Sequence, residues 1–148
     1  VATPTTPTTD AEQTPSAVER RNTETVRRYL RVFETLEVGE LKDLVAEDVV
    51  VHGAGQHVRG RSYPEGSVLT PGLSNCRLRV DDLFAAGDRV SVAFTLTYTH
   101  DRTGRDLTMT GVKSYRLVDG VIVEFWGETD LYGLLRQAGL VPAEIPAL

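Results

Sequence analysis

Apolar residues recur at three- and four-residue spacings early in the chain. Within VERRNTETVRRYLRVFETLE, the positions Val26, Tyr29, Leu30, Phe33 and Leu36 describe one face of a helix. Glu24 and Arg28 are placed as an i,i+4 ion pair on its exposed side. Gly39 interrupts the pattern, and GELKDLVAED predicts a second, shorter helix, followed by a strand over Val49–His52. The piece GAGQHVRGR is too rich in glycine for a regular element, and Ser62 with Glu65 has the spacing of a capping box for a short helix.

From Cys76 the period changes to two. Strands are predicted over Cys76–Phe84 and Arg89–His100, then from the DRTG turn to Val118, and over Val121–Gly127. Asp119-Gly120 marks a hairpin between the last two. TDLYGLLRQAG closes as a helix, with Thr129 or Asp130 as cap and Gly139 as terminator. Helices grouped before an antiparallel sheet indicate an α+β domain. A strongly curved antiparallel or mixed sheet, wrapped over the first helices, would enclose a cavity.

Residues 1–17, VATPTTPTTDAEQTPSA, offer little apolar area to offset the entropy of ordering and read as a disordered Thr/Pro-rich leader. Residues 18–148 are then one domain, too small for separate cofactor and substrate units. The formal net charge is -5, which argues against a phosphate backbone as partner. No apolar run approaches membrane-spanning length and no signal segment is evident. A soluble, cytoplasmic protein without nucleic-acid or membrane partners is expected. A single cysteine excludes an internal disulfide, and no metal-binding or nucleotide-binding spacing occurs.

KSYRLVDGVIVEFWGETDLYGLLRQAG resembles the closing segment of SnoaL-like polyketide cyclases, and VRRYLRVFETLEVGELKDLVAEDVVVHG is similar to their opening. That family lies within the superfamily of nuclear transport factor two and ketosteroid isomerase. The resemblance spans about residues 20–142. It implies a cone-shaped α+β barrel with a hydrophobic cavity, no cofactor, and a homodimer formed through the exposed sheet face. The family's aldol cyclases use an acid near the end of the final strand and a histidine on the strand before it. The matching positions are Gly127 and Lys113, so both groups of the familiar aldol mechanism are replaced.

Candidate catalytic residues are His52, Lys113, Tyr115 and Glu128. His52, at a strand end, suits proton exchange near neutrality, and the alternative is a structural or surface histidine. Lys113 and Tyr115 share a strand face that the resemblance turns into the cavity. An enclosed lysine titrates low unless paired and could act as base or polarise a carbonyl, while a phenol could donate to the same oxygen. Alternation puts Glu124, Trp126 and Glu128 opposite Phe125 and Gly127, so Glu128 reaches the cavity only if the strand end twists. Tyr29, Phe33, Phe94, Tyr98 and Gly127 are candidate substrate walls, although an ordinary core has the same pattern. Arg61, near the expected mouth, suits a carboxylate or enolate as well as a surface pair.

The preferred reading is a cofactor-independent cyclase or isomerase of polyketide-type natural product biosynthesis, acting on a hydrophobic polyketide-like molecule. His52, Lys113 or Tyr115 would transfer a proton or stabilise an oxyanion. Ring closure could be non-aldol, including cycloaddition or epoxide opening. A noncatalytic small-molecule carrier or accessory protein is one alternative, and a hydroxylase or epoxide hydrolase of the same fold another.

Overall fold

The computed structural model describes residues 14–53 and 55–144. Most of the proposed leader therefore lies outside the described residues. Helix α1 runs Ala17–Thr35 and starts on a capping box of Ser16 and Glu19, at the end of the segment expected to be a leader. The Glu19 amide donates to the Ser16 hydroxyl at 3.2 Å, and the Ser16 amide donates to the Glu19 carboxylate at 2.7 Å. The second carboxylate oxygen of Glu19 accepts from the Gly87 amide at 3.0 Å, which ties the helix start to a distant strand turn. These backbone donors, Gly87 foremost, hold the Glu19 carboxyl below its usual range. Leu36, in the left-handed region at φ 59°, ends the helix.

After a 3-10 turn at Val38–Glu40, α2 occupies only Leu41–Leu44. The predicted helix through Asp48 gives way at Val45, where β-branched residues join the sheet and Val45 pairs with Ile122. Strand β1 is Val45–Gly53, and β2, Gln56–Arg59, folds back on it through the glycine-rich piece that was expected to be irregular. Helix α3, Ser62–Ser67, has no side-chain cap, because Glu65 bonds to Arg61 rather than closing a box with Ser62. Arg28 likewise pairs with Glu40 at 3.7 Å, not with Glu24.

Strands β3 (Leu73–Ala86), β4 (Arg89–His100), β5 (Asp106–Val118) and β6 (Val121–Thr129) form the antiparallel meander. The sheet order is β2-β1-β6-β5-β4-β3, with β1 parallel to β6. This corrects the expected cone. The mixed sheet is not strongly curled or closed, and it ends in two separate edges at β2 and β3. Strand β2 has four largely exposed residues, and the chain leaves it for α3 instead of pairing onward, so closure has no strand to make it.

The domain is therefore an open α+β layer with α1 packed on β3, β4 and β6. Its core joins Val26, Tyr29 and Leu30 of α1 to Val90, Val92, Tyr115, Leu117 and Ile122. Thr25 fixes the helix along the sheet by donating to the Gly120 carbonyl at 2.8 Å. Helix α4, Leu131–Gln137, is capped by Asp130, which accepts from the Gly133 amide at 2.8 Å. Its Gln137 amide pairs with the Thr108 backbone in both directions, at 2.9 and 2.7 Å, covering β5 where β6 has ended.

Buried Gly111 faces the Phe94 ring, and a Cβ there would lie 2.5 Å from it and 2.9 Å from Thr129. Gly111→Ala is expected to destabilise the fold by about 1–3 kcal/mol, read as a lowered midpoint in urea unfolding. An unchanged midpoint would show that Phe94 yields freely.

Candidate functional site

A chamber of about 220 Å³ lies between the inner face of the sheet and helices α1, α3 and α4. Phe33, Val51, Phe94, Leu96, Met109 and Phe125 give it an apolar wall, and Tyr63, Ser67, Thr70, Tyr98 and Thr129 add hydroxyls. Lys113 enters this wall from the middle of β5. Its Nζ stands 5.2 Å from the Phe33 ring centre and 5.6–5.7 Å from those of Tyr29, Phe94 and Phe125. Aromatic faces attract an ammonium but replace only part of its water shell. Burial pushes the Lys113 pKa down to about 8. The residue keeps some exposure, because it borders the chamber.

The room for this lysine comes from Gly127, its partner in the β5–β6 ladder. A Cβ on Gly127 would fall 2.8 Å from Lys113 Cγ and 3.2 Å from Cε. The lysine stem thus lies across the place where a side chain at position 127 would stand. Gly53 crowds the same glycine from the other side, since a Cβ there would sit 2.6 Å from the Gly127 carbonyl oxygen.

A second cluster occupies the opposite face of the sheet. His52 Nε2 is 2.9 Å from Glu124, and His52 Nδ1 is 2.6 Å from His57 Nδ1. Arg116 Nε donates to the other Glu124 oxygen at 2.9 Å. The imidazole stacks on Trp126 at 4.6 Å, and Arg89 lies 5.0 Å over the indole. The hydrogen bond from His52, then that from Arg116, holds the Glu124 carboxyl below its usual value of 4.5. Although the surrounding sheet face is open, the Glu124 side chain is only 20% exposed because its own partners cover it.

A cleft of about 430 Å³ adjoins the chamber and shares Thr70 and Tyr98 with it. It also meets Cys76, whose thiol burial pushes up to about 11. The smaller chamber holds the amine and is the better candidate site. Among the described residues, no group of His, Cys, Asp and Glu is arranged to hold a metal ion, and no helix is long and apolar enough to cross a membrane.

The SnoaL-like domain family matches residues 26–125 of the chain. The chain belongs to this family. Solved structures agree on the fold. The chain is 23% identical to a SnoaL-like protein from Jannaschia Sp. CCS1, a candidate polyketide cyclase, over 88% of this chain and 99% of that one, with a TM-score of 0.74. AclR from Streptomyces galilaeus, a candidate hydroxylase, is 22% identical over 86% and 90%, with a TM-score of 0.73. IdmH from Streptomyces antibioticus, a candidate polyketide cyclase, is 25% identical over 80% and 98%, with a TM-score of 0.71. No curated protein matches the chain.

In this SnoaL-like domain the sequence-derived candidates separate into four groups. Lys113, Phe33, Phe94, Tyr98 and Gly127 meet at the chamber. Tyr29 and Tyr115 lie in the solid core behind it, edge to face at 5.6 Å. Their buried hydroxyls have no hydrogen-bond partner among the described residues, and burial raises both phenol pKa values. His52 and Glu128 border the chamber, but both ring nitrogens of His52 are engaged outside it, and Glu128 is exposed. Arg61 does not border it. It donates to the Val45 carbonyl at 3.1 Å and pairs with Glu65, fastening α3 to the start of β1.

Thr70, Met109 and Ser67 were missed as wall residues. Thr70 lies outside regular structure and Ser67 in a one-turn helix, where no period marks an inner face. The tie of Glu124 to His52 was missed because the parallel β1–β6 pairing that creates it joins residues far apart in sequence.

If the Lys113 stem fills the space at Gly127, the two positions are energetically coupled. Gly127→Ala is expected to destabilise the wild-type background clearly more than a Lys113→Ala background, with a coupling of about 0.5–3 kcal/mol in a double-mutant cycle. Additive losses would refute the shared volume.

Glu124 gives a pH prediction. Its folded pKa is depressed, so its stabilisation is present above the unfolded value and is lost as pH falls through the folded one. Glu124→Gln should cost about 1–2 kcal/mol at pH 7, and the gap to wild type should close in strong acid. A gap of constant size from pH 7 to pH 2.5, measured by urea unfolding, would rule out the charge as its source.

Proposed function

We propose that the chain is a cyclase or isomerase acting on a small, mostly apolar carbonyl compound of the polyketide type, with Lys113 as its proton-transfer group. The observation that carries this reading is an amine without a carboxylate partner, held among four aromatic rings in the wall of a small chamber. With a pKa of about 8, about a tenth of Lys113 is free amine at pH 7 and about half at pH 8. It can take a proton from carbon next to a carbonyl and return it elsewhere. Tyr98 stays a protonated phenol, because burial raises its pKa, and is the candidate donor to the developing enolate oxygen. The apolar wall would fold a flexible chain so that its reacting carbons meet. The candidate cyclases among the similar structures, IdmH and the Jannaschia protein, support this class.

The chamber is smaller than the roughly 300 Å³ at the low end for drug-sized ligands. That favours a short substrate, or one whose tail reaches toward the adjoining cleft past Thr70 and Tyr98.

Incubation with a linear polyketide precursor should give ring-closed product faster than in its absence. The rate should rise with pH through about 8, since the free amine is the active form. Lys113→Met should lower kcat about 10²-fold or more and abolish that rise. Binding of the precursor without any gain in rate would overturn the enzyme reading and leave a carrier.

A further inference from the structure

We propose that Lys113 is a covalent catalytic residue, its amine condensing with a ketone or aldehyde carbon of the bound substrate to form a Schiff base. This rests on the reading of the chamber as a carbonyl-compound site. Three features favour a covalent role over proton transfer alone.

The amine has no competing partner, because neither an ion pair nor a hydrogen bond to Lys113 occurs among the described residues, and burial is the sole cause of its low pKa. The lone pair is therefore available once the proton leaves. The four ring faces would next stabilise the cationic imine as they stabilise the ammonium. Finally, Gly127 lets the stem lie against β6, which leaves the nitrogen among the ring faces of the wall that Lys113 shares with the chamber.

The nitrogen lone pair attacks the carbonyl carbon, and the carbonyl π pair moves to oxygen, giving a carbinolamine. A proton shifts from nitrogen to oxygen, a further proton from solvent joins the departing hydroxyl, and loss of water forms the protonated C=N bond. The protonated imine acidifies the neighbouring C–H, and its proton passes to the released water. The resulting enamine carbon attacks a second carbonyl of the same molecule, whose oxygen takes that proton. Water then hydrolyses the new iminium and the proton returns to solvent, so the water released at the start is the water consumed at the end and the amine is regenerated.

The chain has only two lysines, and Lys42 is fully on the surface of α2, which makes the test clean. Heptane-2,6-dione is a small diketone that can close to a six-membered ring. With this diketone and sodium cyanoborohydride, the wild-type protein should acquire a reduced adduct that peptide mass spectrometry maps to Lys113. Labelling there should exceed that at exposed Lys42 by on the order of tenfold and increase from pH 7 to 9. Lys113→Arg, which keeps the charge and is checked for folding by its thermal melt, should lose the adduct. Labelling that favours Lys42 or the terminal amine over Lys113 overturns the proposal. Ring-closed product without any Lys113 adduct overturns the covalent step and leaves proton transfer standing. An adduct without ring closure upholds the covalent amine and overturns the cyclase reading.

Discussion

Opposite Lys113 in the β5–β6 ladder stands a residue with no side chain, and the organisation of the chamber follows from that pairing. A lysine in mid-strand normally finds water or a carboxylate. Here its stem lies across Gly127 and its nitrogen is carried among Tyr29, Phe33, Phe94 and Phe125. The resemblance to aldol cyclases made Gly127 look like a lost acid and Lys113 a lost histidine. The packing unites the two departures: the volume given up at 127 is the volume taken at 113. Restoring an acid at 127 would require the lysine to move.

Such a lysine weakens the fold that holds it. A shift from 10.5 to about 8 corresponds to a penalty on the order of 3 kcal/mol for keeping the residue charged at neutral pH. Two buried phenols without partners stand close by, adding to that cost. Stability is recovered away from the chamber, by Glu19 tying α1 to the β3–β4 turn, Thr25 bonding to Gly120, and Gln137 completing the free edge of β5. Unsatisfied groups gathered around one cavity, with well-bonded junctions around them, are what a functional site on a rigid scaffold looks like.

How much of this could be read from the sequence depended on sequence distance. Period-two alternation put Lys113 and Tyr115 on one face of β5 and set Gly127 and Phe125 opposite Glu124, Trp126 and Glu128, and the DG turn marked the hairpin. The pairing of Lys113 with Gly127 depends on a bulge between Arg116 and Leu117 that the turn does not signal. The helix face of Tyr29 and Phe33 was equally legible. Local signals misled where a tertiary partner outbid them. Ser62 and Glu65 have cap spacing, but Arg61 claims Glu65, while Gln56–Arg59 within the glycine-rich piece forms a strand because β1 offers it an edge. The strongly curved sheet was inferred from periodicity and turns and the cone-shaped barrel from likeness, but neither signal reports curvature, and the four-residue β2 does not supply closure.

The histidine illustrates the same limit in chemical terms. His52 has the right residue type and stands at a strand end beside the chamber, which made it a natural proton carrier. Parallel pairing of β1 with β6 instead sets it over Trp126 and beside Glu124. A ring with one nitrogen on a carboxylate and the other on a second imidazole must break a hydrogen bond before it can serve a substrate. Lys113 has nothing to break. Among the described residues it has neither an ion pair nor a hydrogen bond, it lies in the apolar wall of the chamber, and burial lowers its pKa to about 8. The proposed chemistry therefore rests on the amine, while the imidazole is held in a network on the outer face.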